Sequence, residues 1–225
     1  MNLIQRLKKK LGRHFYRGGF FHPTANYSRV LDRYRSLKDK KIINIGSGGY
    51  DPVPGAINID PYREGPNTIK AFGEKLPFVE ESIDVAFSGG VLEHVKEPKK
   101  IVDEVYRVLK YGGEIYVEVP MLAPYHAAPE DYYRWTISGL RELCGRFEEV
   151  ETGVTSGPGS ALAWILMEFV QIVPTSKFFR FVFKNLAKIV LSPLKYFDRF
   201  LLKRDNVFHV VGGIYFLGRK VKEDI

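Results

Sequence analysis

The sequence predicts an α/β fold built around a parallel sheet, and three observations predict it. Ile42-Ile43-Asn44-Ile45 has strand character and runs into Gly46-Ser47-Gly48-Gly49, a turn that glycines make most readily. Ala56-Ile57-Asn58-Ile59 follows at once as a second strand and ends in Asp60. A third strand, Ile83 to Phe87, ends at another glycine turn, Ser88-Gly89-Gly90, and leads through a helix to a fourth strand, Glu114 to Val119. This strand, turn, helix, strand rhythm means a parallel sheet with helices on its faces.

The elements follow in order. Leu3, Ile4, Leu7, Leu11 and Phe15 recur at helical spacing, with Arg6, Lys8, Lys9, Lys10 and Arg13 on the remaining surface. Residues 1–41 therefore read as a basic amphipathic arm, which Gly18-Gly19 and Pro23 interrupt before a second helical piece, Tyr27 to Leu37. Tyr50 to Gly55 is too short and too proline-rich for a crossover helix, so a loop is expected there. After Asp60 a polar loop precedes Leu76-Pro77-Phe78. Pro98 suits the first position of a helix carrying Ile101, Val102, Val105, Val108 and Leu109, and Gly112-Gly113 is expected to close it. Thr136 caps a helix with Leu140 and Leu143 on one face, Phe147 to Thr155 reads as a strand, and Val207 to Gly218 as the last one.

Between those last strands lies an insertion, residues 157–206. Ala161 to Val173 is apolar apart from Glu168 and Gln171; it is too short to span a bilayer, which takes about 20 residues, and reads as a buried core helix. Arg180, Lys184 and Lys188 then stand four apart, with Phe178, Phe179, Val182, Leu186, Ile189 and Val190 largely opposite. After Pro193 the pattern repeats with Lys195, Arg199 and Lys203. Basic stripes backed by Phe and Leu are what helices lying in a membrane interface show, although packing on the domain, on a twin subunit or on nucleic acid would also use such faces.

Charge is segregated. Residues 1–41 carry twelve Lys/Arg against two acids, residues 42–176 eleven against twenty, and residues 177–204 eight against one, within a net charge of +8. An acidic central domain thus stands between two cationic segments, which points to an anionic membrane surface as a partner. The acidic centre and the lack of interleaved stacking aromatics argue against nucleic acid. The single cysteine, Cys144, excludes an internal disulfide and a cysteine-rich metal site and fits a reducing compartment. With no signal-like apolar run near the start, a cytoplasmic location is expected, peripheral on the inner face of the membrane, and no metal site is expected.

A glycine turn at the end of a strand is where α/β folds bind nucleotides, with backbone N–H groups facing the ligand, and a carboxylate ending the next strand suits a ribose. A dinucleotide fingerprint fits poorly: it needs a third glycine where Asp51 stands and an acid about 20 residues on. The motifs in order are Ile42–Gly49, Ile57–Asp60, Leu76-Pro77-Phe78 with Asp84, Val91-Leu92-Glu93-His94-Val95, and Arg107-Val108-Leu109-Lys110-Tyr111-Gly112-Gly113. Together they resemble the class I S-adenosylmethionine-dependent methyltransferases, type 11-like, in the broad group close to the ubiquinone-type and sugar-modifying enzymes. The resemblance runs from Ile42 to about Cys144 and includes the last strand.

What the resemblance implies is a Rossmann-like seven-stranded sheet, mostly parallel, with helices on both faces and the last strand antiparallel. S-adenosylmethionine would be the cofactor. Gly46, Ser47 and Gly48 would lie against its methionine part, Asp60 would bind the ribose hydroxyls, Phe72-Gly73-Glu74 would border the adenine, and Ser88-Gly89 would lie beneath the sulfonium. Three positions depart from the family pattern: Asn44 replaces an acid, Tyr50 the usual last glycine and Phe72 an adenine-binding Asp, which leaves backbone and stacking contacts for the adenine.

Methyl transfer from a sulfonium is an in-line displacement that depends on alignment, with a base needed when the acceptor is a hydroxyl. The expected catalytic residues lie in Tyr125 to Thr136: His126 as base, Asp131 to orient it or act alone, and Arg134 to hold an anionic group. An ordinary helix cap and salt bridge is the competing reading of Asp131, Arg134 and Thr136, and a helix-start histidine bonded to nearby backbone is that of His94. In this plan the insertion emerges at the cofactor edge of the sheet. The expectation is a methyltransferase acting on a hydroxyl of a saccharide or lipid-linked acceptor at a membrane surface. A scaffold that kept the fold without chemistry, an RNA methyltransferase and an oligomer all remain open.

Overall fold

The computed structural model describes residues 30–34, 39–49, 53–65 and 67–222. The expected amphipathic arm therefore lies outside the described residues, apart from α1 (Val30–Tyr34) and residues 39–41. Seven strands form one sheet: β1 (Ile42–Ile45), β2 (Ile57–Ile59), β3 (Thr68–Ile69), β4 (Ile83–Gly89), β5 (Leu109–Pro120), β6 (Glu148–Ser156) and β7 (Gly213–Arg219), in the order β3-β2-β1-β4-β5-β7-β6. Pairing is parallel from β3 through β5. β7 runs against β5: Lys220 N–H meets the Gly113 carbonyl at one end and Met121 N–H the Gly212 carbonyl at the other. This is the mostly parallel, Rossmann-like sheet that the sequence predicts, with its last strand reversed.

β1 sits at the centre and is buried along its whole length, which is why it reads as an unbroken apolar run. Its one polar residue, Asn44, is in register with Asn58 of β2, and its Nδ2 donates to Asn58 Oδ1 at 2.9 Å. The position where an acid was expected thus holds a buried amide pair that joins two strands. Val30, Tyr34, Val53, Val85, Phe87, Tyr116 and Leu217 form a core cluster around Ile42.

α2 (Pro98–Val108) begins on its proline and buries Ile101, Val102, Val105, Tyr106 and Val108. It stops one residue short of Leu109, and Gly112-Gly113 lies within β5 instead of closing the helix. The physical reason is a bulge: Ile83 pairs with Leu109 but Val85 with Glu114, and Gly112 takes φ +78° in the looped-out stretch. α3 (Ile137–Leu143) is capped by Thr136, whose Oγ1 accepts from Gly139 N–H at 3.2 Å. β3 was not expected from the sequence. Val207–Val210 is a 3-10 turn, so the last strand begins only at Gly213.

The chain divides into two compact units: residues 30–120, 126–153 and 215–222 in one, residues 121–125 and 154–214 in the other. The second holds α4 (Pro158–Ile172), α5 (Lys177–Leu191) and α6 (Asp198–Leu201). Asp198 caps α4 from a distance, accepting from Gly159 N–H at 2.6 Å, Ser160 N–H at 3.1 Å and the Ser160 hydroxyl at 2.6 Å. α4 is not a fully buried helix as expected: Ala161, Ala163 and Met167 are buried, whereas Leu162, Ile165, Phe169 and Ile172 are exposed. In α5 only Ala187 is buried; Phe178, Phe179, Phe181, Val182, Phe183, Leu186, Ile189 and Val190 all face outward. The second basic stripe does not form as expected, because Lys195 is fully buried within the 3-10 turn Ser192–Phe197. No helix among the described residues is long and apolar enough to cross a membrane.

Candidate active site

Two groups of residues lie at the carboxyl ends of the parallel strands. The first surrounds the turn after β1. Gly46, Gly48 and Gly49 take φ of +64°, +53° and +81°, a region that side chains avoid. At Gly46 a Cβ would stand 2.5 Å from Val91 Cγ2, so that position is closed to other residues on two counts. The turn's donors do not face outward as expected. Gly46 and Ser47 N–H bind the Ile59 carbonyl at 2.8 and 3.3 Å, Gly48 N–H binds Asp60 Oδ2 at 2.6 Å, and Gly49 N–H the Ser47 hydroxyl at 3.4 Å. What the turn offers a ligand is close approach to bare backbone.

Asp60 is buried, and its Oδ1 also accepts from Tyr62 and Arg63 N–H at 2.9 and 3.0 Å. Three of the roughly four acceptor sites of a carboxylate are then used, and one on Oδ2 remains for a hydroxyl. Beyond Asp60, the exposed rings of Tyr62 and Phe72 meet edge to face at 6.1 Å, an aromatic surface where Phe72 replaces the acid expected by resemblance. Gly73 is buried, with space for a Cβ closed by Ile101 Cδ1 and Ile45 Cγ2, each at 3.0 Å, while Glu74 is half-buried. Ser88 is buried on β4 with no hydrogen-bond partner for its hydroxyl, and Gly89 follows it. Bare backbone, a carboxylate with one acceptor site left, an aromatic pair and an unpartnered buried hydroxyl suit an amino-acid nucleoside.

The second group brings the predicted catalytic residues together. Arg134 grips Asp131 with both terminal nitrogens, Nη1 to Oδ1 at 2.5 Å and Nη2 to Oδ2 at 2.6 Å. This pairing holds the Asp131 carboxyl well below its usual range and raises the guanidinium. Asp131 Oδ2 accepts from the His126 backbone N–H at 2.8 Å, while the imidazole Nδ1 lies 3.6 Å from Oδ2 and 3.4 Å from Arg134 Nη2. Asp131 is thus the anchor of the loop, as the salt-bridge reading had it, and His126 is the partly exposed member.

Sequence reasoning named Glu93 only as part of a motif, and read His94 as a helix-start histidine. The 3-10 turn Leu92–His94 after β4 carries them to the same place. Glu93 is buried, with Oε1 3.7 Å from His126 Nε2 and 3.9 Å from His94 Nε2. The two imidazoles meet edge to face at 5.3 Å, and His94 Nδ1 contacts the Glu130 carbonyl at 2.6 Å, a remote segment instead of the nearby backbone expected. Tyr132 N–H donates to the Glu93 carbonyl at 2.7 Å and fastens the loop to the turn.

Residues 48–117 match the family model described as a methyltransferase domain. Over that third of the chain it is similar to a methyltransferase domain, and its seven-stranded sheet has the Rossmann-like fold of class I methyltransferases. An uncharacterised protein of Methanocaldococcus jannaschii is 36% identical over 86 residues, covering 34% of this chain and 42% of the relative. A tRNA U34 carboxymethyltransferase of Sulfurimonas denitrificans is 27% identical over 165 residues, covering 56% of each. The chain thus spans little more than half the length of these curated relatives at most. Among solved structures, the Haloferax volcanii complex of the Trm112 methyltransferase activator with a methyltransferase matches at a TM-score of 0.56 and 14% identity, covering 97% of this chain and 95% of that one, a likeness of fold. Held by these residues, S-adenosylmethionine would supply an electrophilic methyl group on a sulfonium.

Proposed function

We propose that this methyltransferase domain transfers a methyl group to a hydroxyl of a saccharide or lipid-linked acceptor at an anionic membrane surface on the cytoplasmic side. The observation that carries the reading is the outward apolar face of α4 and α5, from Ile165 to Val190, bordered by exposed Lys177, Arg180 and Lys184. Exposed apolar surface of this extent is costly in water and calls for a cover. A bilayer interface matches both halves of it: phenylalanines enter the acyl boundary while each basic side chain near anionic headgroups contributes about 1 kcal/mol.

Chemistry at the acceptor falls to the cluster of Glu93, His94 and His126. A hydroxyl nucleophile must lose its proton as the new bond forms, and the half-exposed His126 imidazole is the member nearest solvent. Arg134 and Asp131 fix the loop that presents it.

Flotation of the full chain with phosphatidylserine-containing vesicles tests the surface. Binding at low salt that weakens at high salt and on Phe178→Ser with Phe181→Ser supports the reading; no binding at low salt removes it. A second reading, tRNA as acceptor, draws on the name of the Sulfurimonas denitrificans relative. Under that reading tRNA binds with an affinity that falls steeply with salt while vesicles do not bind.

A further inference from the structure

We infer that Glu93, His94 and His126 form a binding site for a first-row divalent transition-metal ion, which deepens the proposed chemistry at the acceptor. One donor atom from each of the three lies within 4.8 Å of the others. The separations of Glu93 Oε1 from the two Nε2 atoms, 3.7 and 3.9 Å, are too long for hydrogen bonds. They are wider by about 0.5 Å than the roughly 3.0–3.4 Å between neighbouring ligands of an ion with bonds of about 2.1 Å, so the side chains close inward when an ion binds. The donors therefore converge on a point without bonding one another.

A second observation points to a missing partner. Glu93 is 2% exposed, and its Oε2 has no hydrogen-bond partner. Burying a carboxylate oxygen with nothing to accept from is costly, and a cation beside it removes that cost. The outer contacts also suit coordination. His94 Nδ1 lies 2.6 Å from the Glu130 carbonyl, which requires the proton on Nδ1 and leaves Nε2 as a bare donor pair toward Glu93. Arg134 Nη2 donates to His126 Nδ1 at 3.4 Å, which puts the neutral ring's proton on Nε2; coordination through Nε2 moves that proton to Nδ1 and turns this nitrogen from the guanidinium to Asp131 Oδ2, 3.6 Å away.

Two imidazoles and one carboxylate select zinc, manganese, iron or cobalt over magnesium, which prefers an all-oxygen shell. Three protein ligands leave coordination positions open for an acceptor hydroxyl, whose proton a bound cation makes easier to lose. Under this inference the cluster activates the acceptor by coordination, with His126 a ligand in place of the base and the hydroxyl proton passing to solvent water.

Calorimetric titration of metal-stripped full-length protein with zinc chloride tests the site, with S-adenosylhomocysteine titrated in parallel. The expected result is a zinc site at one ion per chain, weakened about 100-fold by Glu93→Gln and by His94→Gln, with magnesium at least as weak. Should Glu93→Gln fail to fold by circular dichroism, His94→Gln, nearer the surface, gives the answer. No zinc binding, or zinc binding that both variants retain, overturns the inference. Binding of S-adenosylhomocysteine with no binding of zinc sinks the metal site alone, whereas no binding of S-adenosylhomocysteine sinks the methyltransferase reading.

Discussion

Asp60 Oδ2 accepts the Gly48 N–H at 2.6 Å, so the carboxylate at the end of β2 holds the glycine turn at the end of β1. The same carboxylate closes its own loop through Tyr62 and Arg63. Asp60→Asn substitutes an amide that must direct one end at backbone donors. The expected cost is about 1–3 kcal/mol of unfolding free energy, read by urea titration. Unchanged stability would mean that the turn holds itself.

Gly46 tests the turn's geometry. Its φ of +64° and the Val91 methyl at 2.5 Å from a Cβ both oppose a side chain. Gly46→Ala is expected to lower stability by about 2 kcal/mol or more. Adding Val91→Ala should recover only part of that, since it relieves the clash and not the dihedral. Full recovery would show that the backbone conformation carries no cost.

The Asp131–Arg134 pair has a pH signature. Arg134 holds the Asp131 carboxyl below its unfolded value, so the pair's contribution is complete above pH ~4 and is lost as pH falls toward the folded pKa. Arg134→Met leaves a carboxylate that is 1% exposed without its bidentate partner. The variant is expected to be about 1–3 kcal/mol less stable at neutral pH. That gap should narrow as chemical denaturation is repeated below pH ~4. A gap independent of pH would assign the loss to packing.

Lys195 titrates the other way. Burial pushes its ammonium down to about 8, so between pH 8 and the unfolded value of about 10.4 the unfolded chain binds the proton more tightly. Stability of this unit therefore rises with pH across that window. In Lys195→Met the rise should flatten, as measured by thermal melting from pH 7 to 10; identical slopes would contradict the burial of the amine.

Much of this fold was legible because its signals are local. β1 and β4 are apolar runs that end in glycine turns, and Pro98 marks the start of α2. Other features depend on distant partners. β3 is two residues, Thr68–Ile69, too short for any periodicity to show. Gly112-Gly113 looks the same whether it caps a helix or forms a bulge, and only pairing with β4 decides. Lys195 fits a helical stripe by spacing, yet a 3-10 turn changes the period and buries it. In the site, His126, Asp131 and Arg134 stand out as reactive residues crowded into one loop. Glu93 was hidden because its part depends on a turn after β4 meeting that loop more than 30 residues later.

Calorimetric titration of the full chain with S-adenosylhomocysteine tests the central claim, that the glycine turn and Asp60 hold the cofactor. One molecule per chain should bind, and Asp60→Asn, folded by circular dichroism, should weaken it by at least tenfold, about 1.4 kcal/mol. A folded chain that takes up no ligand, or a variant that binds it as tightly as the native protein, would contradict the account.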